Sequence, residues 1–218
     1  MVATDDIVNA AEVASTLTGT NEAGASVALS IGENTPRAAT VVGTSWSFTL
    51  IASDLALLGQ GAATLSAVQT DAAGNKSPIG TAAISVDTEA PIAPVINVVA
   101  SDDKINASEV ASTITGTNVA GSTVALSIGG NTRAATVSGT SWSYALQSSD
   151  ITAMGQGTET LSAVQTDPSG NKSETGTRSI TVDTLVPAAP VISMVATDDI
   201  VNAAEVASTL TGTNEAGA

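Results

Sequence analysis

The sequence contains no cysteine and no histidine, and among its 218 residues there are two tryptophans, one tyrosine, one phenylalanine and six basic side chains. Each shortage closes off some chemistry. Without cysteine there are no disulfide staples or thiol nucleophiles, and without histidine there is neither the usual general base near neutral pH nor the usual zinc ligand. The absence of cysteine does not by itself assign a compartment. No apolar run is long enough to cross a membrane as a helix. The six basic residues face 21 acidic ones, for a net charge of −15. That balance repels nucleic acid and anionic membrane, and it makes a divalent cation the natural small partner. Met1 opens an acidic segment rather than a basic and apolar leader, so export information is expected outside these residues.

What is present is mostly Ala, Thr, Ser, Gly and Val, a composition of short strands and turns. The aromatic residues sit in two near-copies, Gly43-Thr44-Ser45-Trp46-Ser47-Phe48-Thr49-Leu50 and Gly139-Thr140-Ser141-Trp142-Ser143-Tyr144-Ala145-Leu146. In the second, Trp142, Tyr144 and Leu146 alternate with small residues. This is the period of a strand with one face in a core, and it predicts Trp142 as a core residue rather than a stacking platform.

The whole chain is periodic. Residues 1–25 recur unchanged as residues 194–218, and the span between holds two periods that differ by one residue near Pro36. That residue lies in Ile31-Gly32-Glu33-Asn34-Thr35-Pro36-Arg37, which stands against Ile128-Gly129-Gly130-Asn131-Thr132-Arg133. A period this long fits one folding unit per repeat. Proline and acidic residues cluster at Val86-Asp87-Thr88-Glu89-Ala90-Pro91-Ile92-Ala93-Pro94 and at Val182-Asp183-Thr184-Leu185-Val186-Pro187-Ala188-Ala189-Pro190. These read as stiff connectors. The predicted units are 1–87, lacking most of its opening strand, 88–184, complete, and 185–218, the opening of a third. Two outcomes follow for the ends: frayed ends of an excerpt from a longer array, or strand exchange in which the Pro190–Val195 stretch of one chain fills another.

In the middle unit the pattern predicts a first strand over 94–100, a loop over 101–109 and strands near 112–117 and 124–128. A hairpin of 133–137 with 141–146 follows, then one helical turn within 147–157 and strands near 161–166 and 177–182. Gly155 is placed to stop the helix. Which face of 161–166 is buried is not decided by the pattern. Seven short strands of this kind predict an all-β chain of tandem immunoglobulin-like sandwiches joined end to end.

In such a sandwich the loops fall at two poles, and a junction gathers the first loop and connector of one unit with a late turn of the next. At the first junction these are Asp5, Asp6, Glu12, Asp54, Asp87, Glu89, Asp167 and Asn171. Calcium takes six to eight hard oxygens, so Asp5, Asp6, Asp87, Asp102, Asp103 and Asp183, with Asp71 and Asp167 of the late turns, are candidate metal ligands. The competing expectation is that they cap their own turns. Glu12 and Glu109 also have a capping reading, and Asp54 and Asp150 are expected to cap the helical turns.

Several stretches together resemble the bacterial immunoglobulin-like extender repeats of giant repeats-in-toxin (RTX) adhesins, which include biofilm and ice-binding adhesins. They are Asp87-Thr88-x-x-Pro91-x-x-Pro94, the Asp102-Asp103-x-x-Asn106 loop, Thr115-Gly116-Thr117, the Trp142 strand, and Thr166-Asp167-x-x-Gly170-Asn171-Lys172-Ser173. The resemblance covers the entire chain. It implies a type I secreted, calcium-stiffened rod at the bacterial cell surface that holds an adhesive tip away from the outer membrane. The family's acidic junction positions match Asp87 and Asp183 in the connectors, Asp102 and Asp103 in the first loop with Asp5-Asp6 and Asp198-Asp199 as its copies, and Asp167 in the late turn. Its implied partners are calcium and the neighbouring repeats of the same chain.

Two other classes compare poorly. Paired carboxylates can hydrolyse a glycosidic bond, but here they sit in repeated loops without an aromatic subsite, and no phosphate loop or nucleophile elbow is present. The chain is therefore expected not to be an enzyme. A carbohydrate- or ice-binding sandwich is the alternative; it needs a site in each copy, and no exposed aromatic cluster is evident.

Overall fold

The computed structural model describes residues 5–32, 35–196 and 198–216. Its strands fall into three groups along the chain. The first comprises β1 (Ile7–Val8), β2 (Thr16–Thr20), β3 (Ser26–Ile31), β4 (Arg37–Ala38), β5 (Thr40–Val42), β6 (Ser45–Thr49), helix α1 (Ala52–Leu58), β7 (Gly61–Thr70) and β8 (Gly80–Val86). The second comprises β9 (Val95–Ile96), β10 (Lys104–Asn106), β11 (Thr113–Thr117), β12 (Thr123–Ile128), β13 (Asn131–Ala134), β14 (Thr136–Ser138), β15 (Ser141–Ala145), helix α2 (Ser148–Met154), β16 (Gly157–Thr166) and β17 (Gly176–Asp183). A short pair, β18 (Val191–Ile192) with β19 (Gly212–Thr213), follows. Of the stretch around the extra residue near Pro36, Glu33 and Asn34 lie outside the described residues.

Each of the first two groups makes two facing sheets. In the second group these are β10-β17-β16-β12-β13 and β14-β15-β11-β9; in the first they are β1-β8-β7-β3-β4 and β2-β6-β5. Alternation along the strands sends Val124, Leu126 and Ile128 from one sheet, and Ile114 and Trp142 from the other, into one core. The architecture is thus all-β, a series of sandwich modules, as the strand pattern predicts. The undecided strand β16 buries Leu161, Ala163 and Gln165, each fully covered. A glutamine is tolerated there because both ends of its amide are bonded, Oε1 accepting from Val119 N–H at 2.8 Å and Nε2 donating to Ile92 O at 2.5 Å.

Two expected strands depart from the pattern. The first strand of the middle module ends early, and the stretch expected to be a loop contains β10, which pairs in parallel with β17 on the opposite sheet. Ala100, Ser101 and Asp103 take φ of 49°, 73° and 62°, and these left-handed residues carry the chain across from one sheet to the other. Similarly, the single strand expected over 133–137 divides at Ala135, with β13 pairing to β12 and β14 to β15. The helix begins where expected and stops at Gly155, φ 70°.

Trp142 is a core residue, 2% exposed, and its Nε1–H donates to Thr117 O at 3.2 Å. Its ring explains Gly116: a Cβ there would lie 2.3 Å from Trp142 Cζ2 and 1.9 Å from Val95 O, so no larger residue fits between the ring and the first strand. In the first module no described strand lies beside β2 as β9 lies beside β11, and Trp46 is only half-buried.

Candidate functional site

The connector between the first two modules is fixed at both ends. At its start, Thr88 N–H donates to Gln60 Oε1 at 3.0 Å while Gln60 Nε2 donates to Thr88 Oγ1 at 2.8 Å. The same two-bond clip recurs between Gln156 and Thr184 at 2.9 and 2.7 Å. At its far end, Ile92 O is held by Gln165 of the middle module. Pro91 and Pro94 restrict the backbone around that anchor.

Across the joint itself stands Asn171. The turn Asp167-Pro168-Ser169-Gly170-Asn171 closes on its own carboxylate, with Asn171 N–H on Asp167 Oδ1 at 2.8 Å and Asn171 Nδ2 on Asp167 Oδ2 at 3.0 Å. The amide then reaches the preceding module twice. Nδ2 donates to Asp87 O at 2.9 Å, and Oδ1 accepts from Ala10 N–H at 2.8 Å. Gly170 backs this contact, since a Cβ there would lie 3.1 Å from Asn9 Nδ2. The equivalent turn of the first module makes the same internal bonds, with Asn75 Nδ2 on Asp71 Oδ2 at 2.8 Å, yet Asn75 is exposed. Asn171 is 3% exposed because a neighbouring module covers it. The motif therefore closes its own turn in both modules, and in the middle one it also serves as an interdomain clasp.

The candidate carboxylates divide by what holds them. Asp103 sits in a two-point ion pair with Arg178, Nε to Oδ1 at 2.5 Å and Nη2 to Oδ2, and its Oδ1 also accepts Val99 N–H at 3.0 Å. The Arg178 side chain, then the main-chain bond, holds the Asp103 carboxyl down at about 2. Asp167 is taken up by Asn171 as described. Asp5, Asp87, Asp102, Asp183 and Asp198 each spend one oxygen on a main-chain N–H two residues ahead, at 3.0 to 3.3 Å. The structure gives their second oxygens no partner among the described residues. Asp199 accepts Val195 N–H at 2.8 Å, in the manner of Asp103 and Val99. Asp6 adopts φ 63° and its carbonyl accepts Ser85 N–H at 2.9 Å.

The paired acids of the first loop thus have a folding role: the first caps the entry to the short strand, and the second occupies the left-handed position that turns the chain between sheets. Glu12 and Glu109 accept from Asn9 and Asn106 N–H at 3.3 and 3.2 Å, three residues back where the preceding short strand ends, rather than capping the strand that follows. Asp54 and Asp150 are buried at the starts of α1 and α2. They take no part in the joint, although the pole argument groups Asp54 with it.

Calcium fits this arrangement in part. Among the described residues no group of three or more acidic side chains stands ready to hold an ion. The donor chemistry suits calcium at Asp5, Asp87, Asp102, Asp183 and Asp198, which keep a hard oxygen uncommitted, and does not suit Asp103 or Asp167, whose oxygens are already spent. Arg178 escaped the sequence pattern because its counterpart in the first module is Ala82. The main-chain atoms of Ala10 and Asp87 left no sequence signal at all.

No protein-family model matches the sequence, and no curated protein matches it. Solved structures do. One, of a Ca2+-stabilised adhesin that helps an Antarctic bacterium reach out and bind ice, is 32% identical over 98% of this chain with a TM-score of 0.52, and this chain spans 56% of it. A second, concerning host cell surface retention of a 1.5-MDa bacterial ice-binding adhesin, is 28% identical over 98% of this chain and 73% of its own, with a TM-score of 0.49. A bacterial immunoglobulin-like domain from the M. primoryensis ice-binding adhesin is 33% identical over its full length and 44% of this chain, with a TM-score of 0.35. The chain is accordingly an adhesin-like array of β-sandwich modules, related to the immunoglobulin-like repeats of bacterial ice-binding adhesins.

Proposed function

We propose that this chain is a non-catalytic extender segment of a large secreted bacterial surface adhesin, whose joined sandwiches project an adhesive tip from the cell. The units are taken as 1–87, 88–184 and 185–218. The observation that carries this reading is the buried Asn171 clasp, which bonds the middle module to both the first loop and the connector of the module before it. A spacer transmits reach only if its joints resist bending. A connector clipped at Thr88 and Ile92 and bridged by one buried amide supplies that resistance without any ligand.

Calcium enters as a supplement at Asp5, Asp87, Asp102, Asp183 and Asp198. When bound it would neutralise carboxylates in a chain of net charge −15 and so weaken repulsion around the joints. The residues themselves set the joint's direction through main-chain and amide bonds. Extracellular calcium modules bind in the range of roughly 0.1 to 1 mM.

X-ray scattering of the chain in calcium and in chelator tests the supplement. The expected result is a modest shortening of the maximum dimension on chelation, with circular dichroism showing unchanged strand content. Equal dimensions in both conditions would remove calcium from the account.

A further inference from the structure

We propose that Arg178 is a built-in cation of the middle module: its guanidinium takes the place that the acidic first loop would otherwise offer to calcium, and holds the crossover between the sheets without a divalent ion. The crossover gathers three hard oxygens. They are the two carboxylate oxygens of Asp103 at its end and the carbonyl oxygen of Ile96 just before its start. Arg178, on β17, meets all three. Nε donates to Asp103 Oδ1 at 2.5 Å, Nη2 donates to Asp103 Oδ2, and Nη1 donates to Ile96 O at 3.2 Å. Carboxylate and carbonyl oxygens are the donors that calcium takes, and a planar guanidinium supplies positive charge to them through directed bonds of its own.

These bonds connect strands that no ladder connects. Ile96 belongs to β9 in one sheet, whereas Arg178 belongs to β17 in the other. Asp103 stands between them at φ 62°, where its carbonyl accepts Thr181 N–H at 2.8 Å and its Oδ1 accepts Val99 N–H at 3.0 Å. One guanidinium therefore fixes the opening strand, the left-handed turn and the closing strand together. The Arg178 and Asp103 side chains are only 26% and 28% exposed, so the pair is screened less than one in open water. At the same register position of the first module stands Ala82, opposite Leu65 as Arg178 is opposite Leu161, so the device is particular to the middle copy. The crossover lies inside one module, and its independence of ions stands apart from any effect of calcium on the joints.

Amide hydrogen exchange of the full chain, followed by NMR, tests this at Val99 and Thr181, whose N–H groups bond Asp103. In the wild-type chain their protection is expected to agree within about twofold between calcium and chelator. Arg178→Ala in chelator should lower it about tenfold or more, because Asp103 and Ile96 O lose their partner. Leu126, in the ladder of β12 with β16, reports whether the sandwich itself stays folded. Adding calcium to Arg178→Ala should raise the protection again about threefold or more, since the released oxygens then accept an external cation. A wild-type chain that loses protection on chelation, an Arg178→Ala chain as protected as wild type in chelator, or one whose loss calcium leaves unchanged would each overturn the proposal, the last by reducing Arg178 to a packing residue.

Discussion

Trp142→Ala is expected to destabilise the middle sandwich by about 4 kcal/mol, the largest effect of any single side chain in the molecule. Trp142 sits at the centre of its sheet, with β11 on one side and β14 on the other, and it is nearly inaccessible. Its removal takes away the ring that fills the space over Gly116 and leaves a cavity that the flanking β9 strand cannot close, since β9 is held by its own ladder to β11. Most other side chains of this core are aliphatic, so no neighbour can swing in to replace an indole. The first module provides the control. Trp46 occupies the same place on β6 but is half-buried, and Trp46→Ala should cost about 2 kcal/mol. Urea denaturation followed by circular dichroism resolves the two; equal losses would mean that the first strand does not create the burial assigned to it.

Asp150→Ala is expected to cost about 3 kcal/mol. The carboxylate is fully buried and accepts from Arg133 Nε at 2.8 Å, from Tyr144 O–H at 2.8 Å and from Gln147 N–H at 2.9 Å. It thereby ties β13, β15 and the first turn of α2 to a single point. Burial alone would push its carboxyl up, but the Gln147, Tyr144 and Arg133 bonds together outweigh that and keep it below the ordinary value. Truncation strands a guanidinium, a phenol and a helix N–H at once. In the first module Phe48 replaces Tyr144, with Arg37 stacked 4.6 Å from its ring centre. Asp54 has one hydrogen-bond donor fewer, and Asp54→Ala should be milder by about 1 kcal/mol. A loss below 1 kcal/mol for Asp150→Ala, measured by the same denaturation, would contradict this reading.

These sites mark where sequence reading succeeds and where it stops. Strands with a clean period of two, such as Val124-Ala125-Leu126-Ser127-Ile128, are legible because burial on one face dictates the alternation. Gln165 is not legible, because its burial depends on two carbonyl and amide partners 46 and 73 residues away in sequence. The sheet change at Ala100–Asp103 is hidden because ordinary side chains adopt a left-handed backbone there. Pole assignment correctly gathers the Asp167 turn, the connector and the first loop at one joint. It places the emphasis on their carboxylates, whereas the bonds crossing the joint come from the Asn171 amide and main-chain groups, which carry no compositional signal.

The interdomain clasp is tested most directly by a spin-label distance across the joint. The chain has no native cysteine, so Thr40→Cys with Thr136→Cys, both exposed and one on each sandwich, can be labelled cleanly. A narrow distance distribution is predicted for the otherwise wild-type chain in chelator as well as in calcium. Adding Asn171→Ala should broaden it markedly while each sandwich stays folded. A distribution as narrow after Asn171→Ala as before it would contradict the claim that this one buried amide sets the joint.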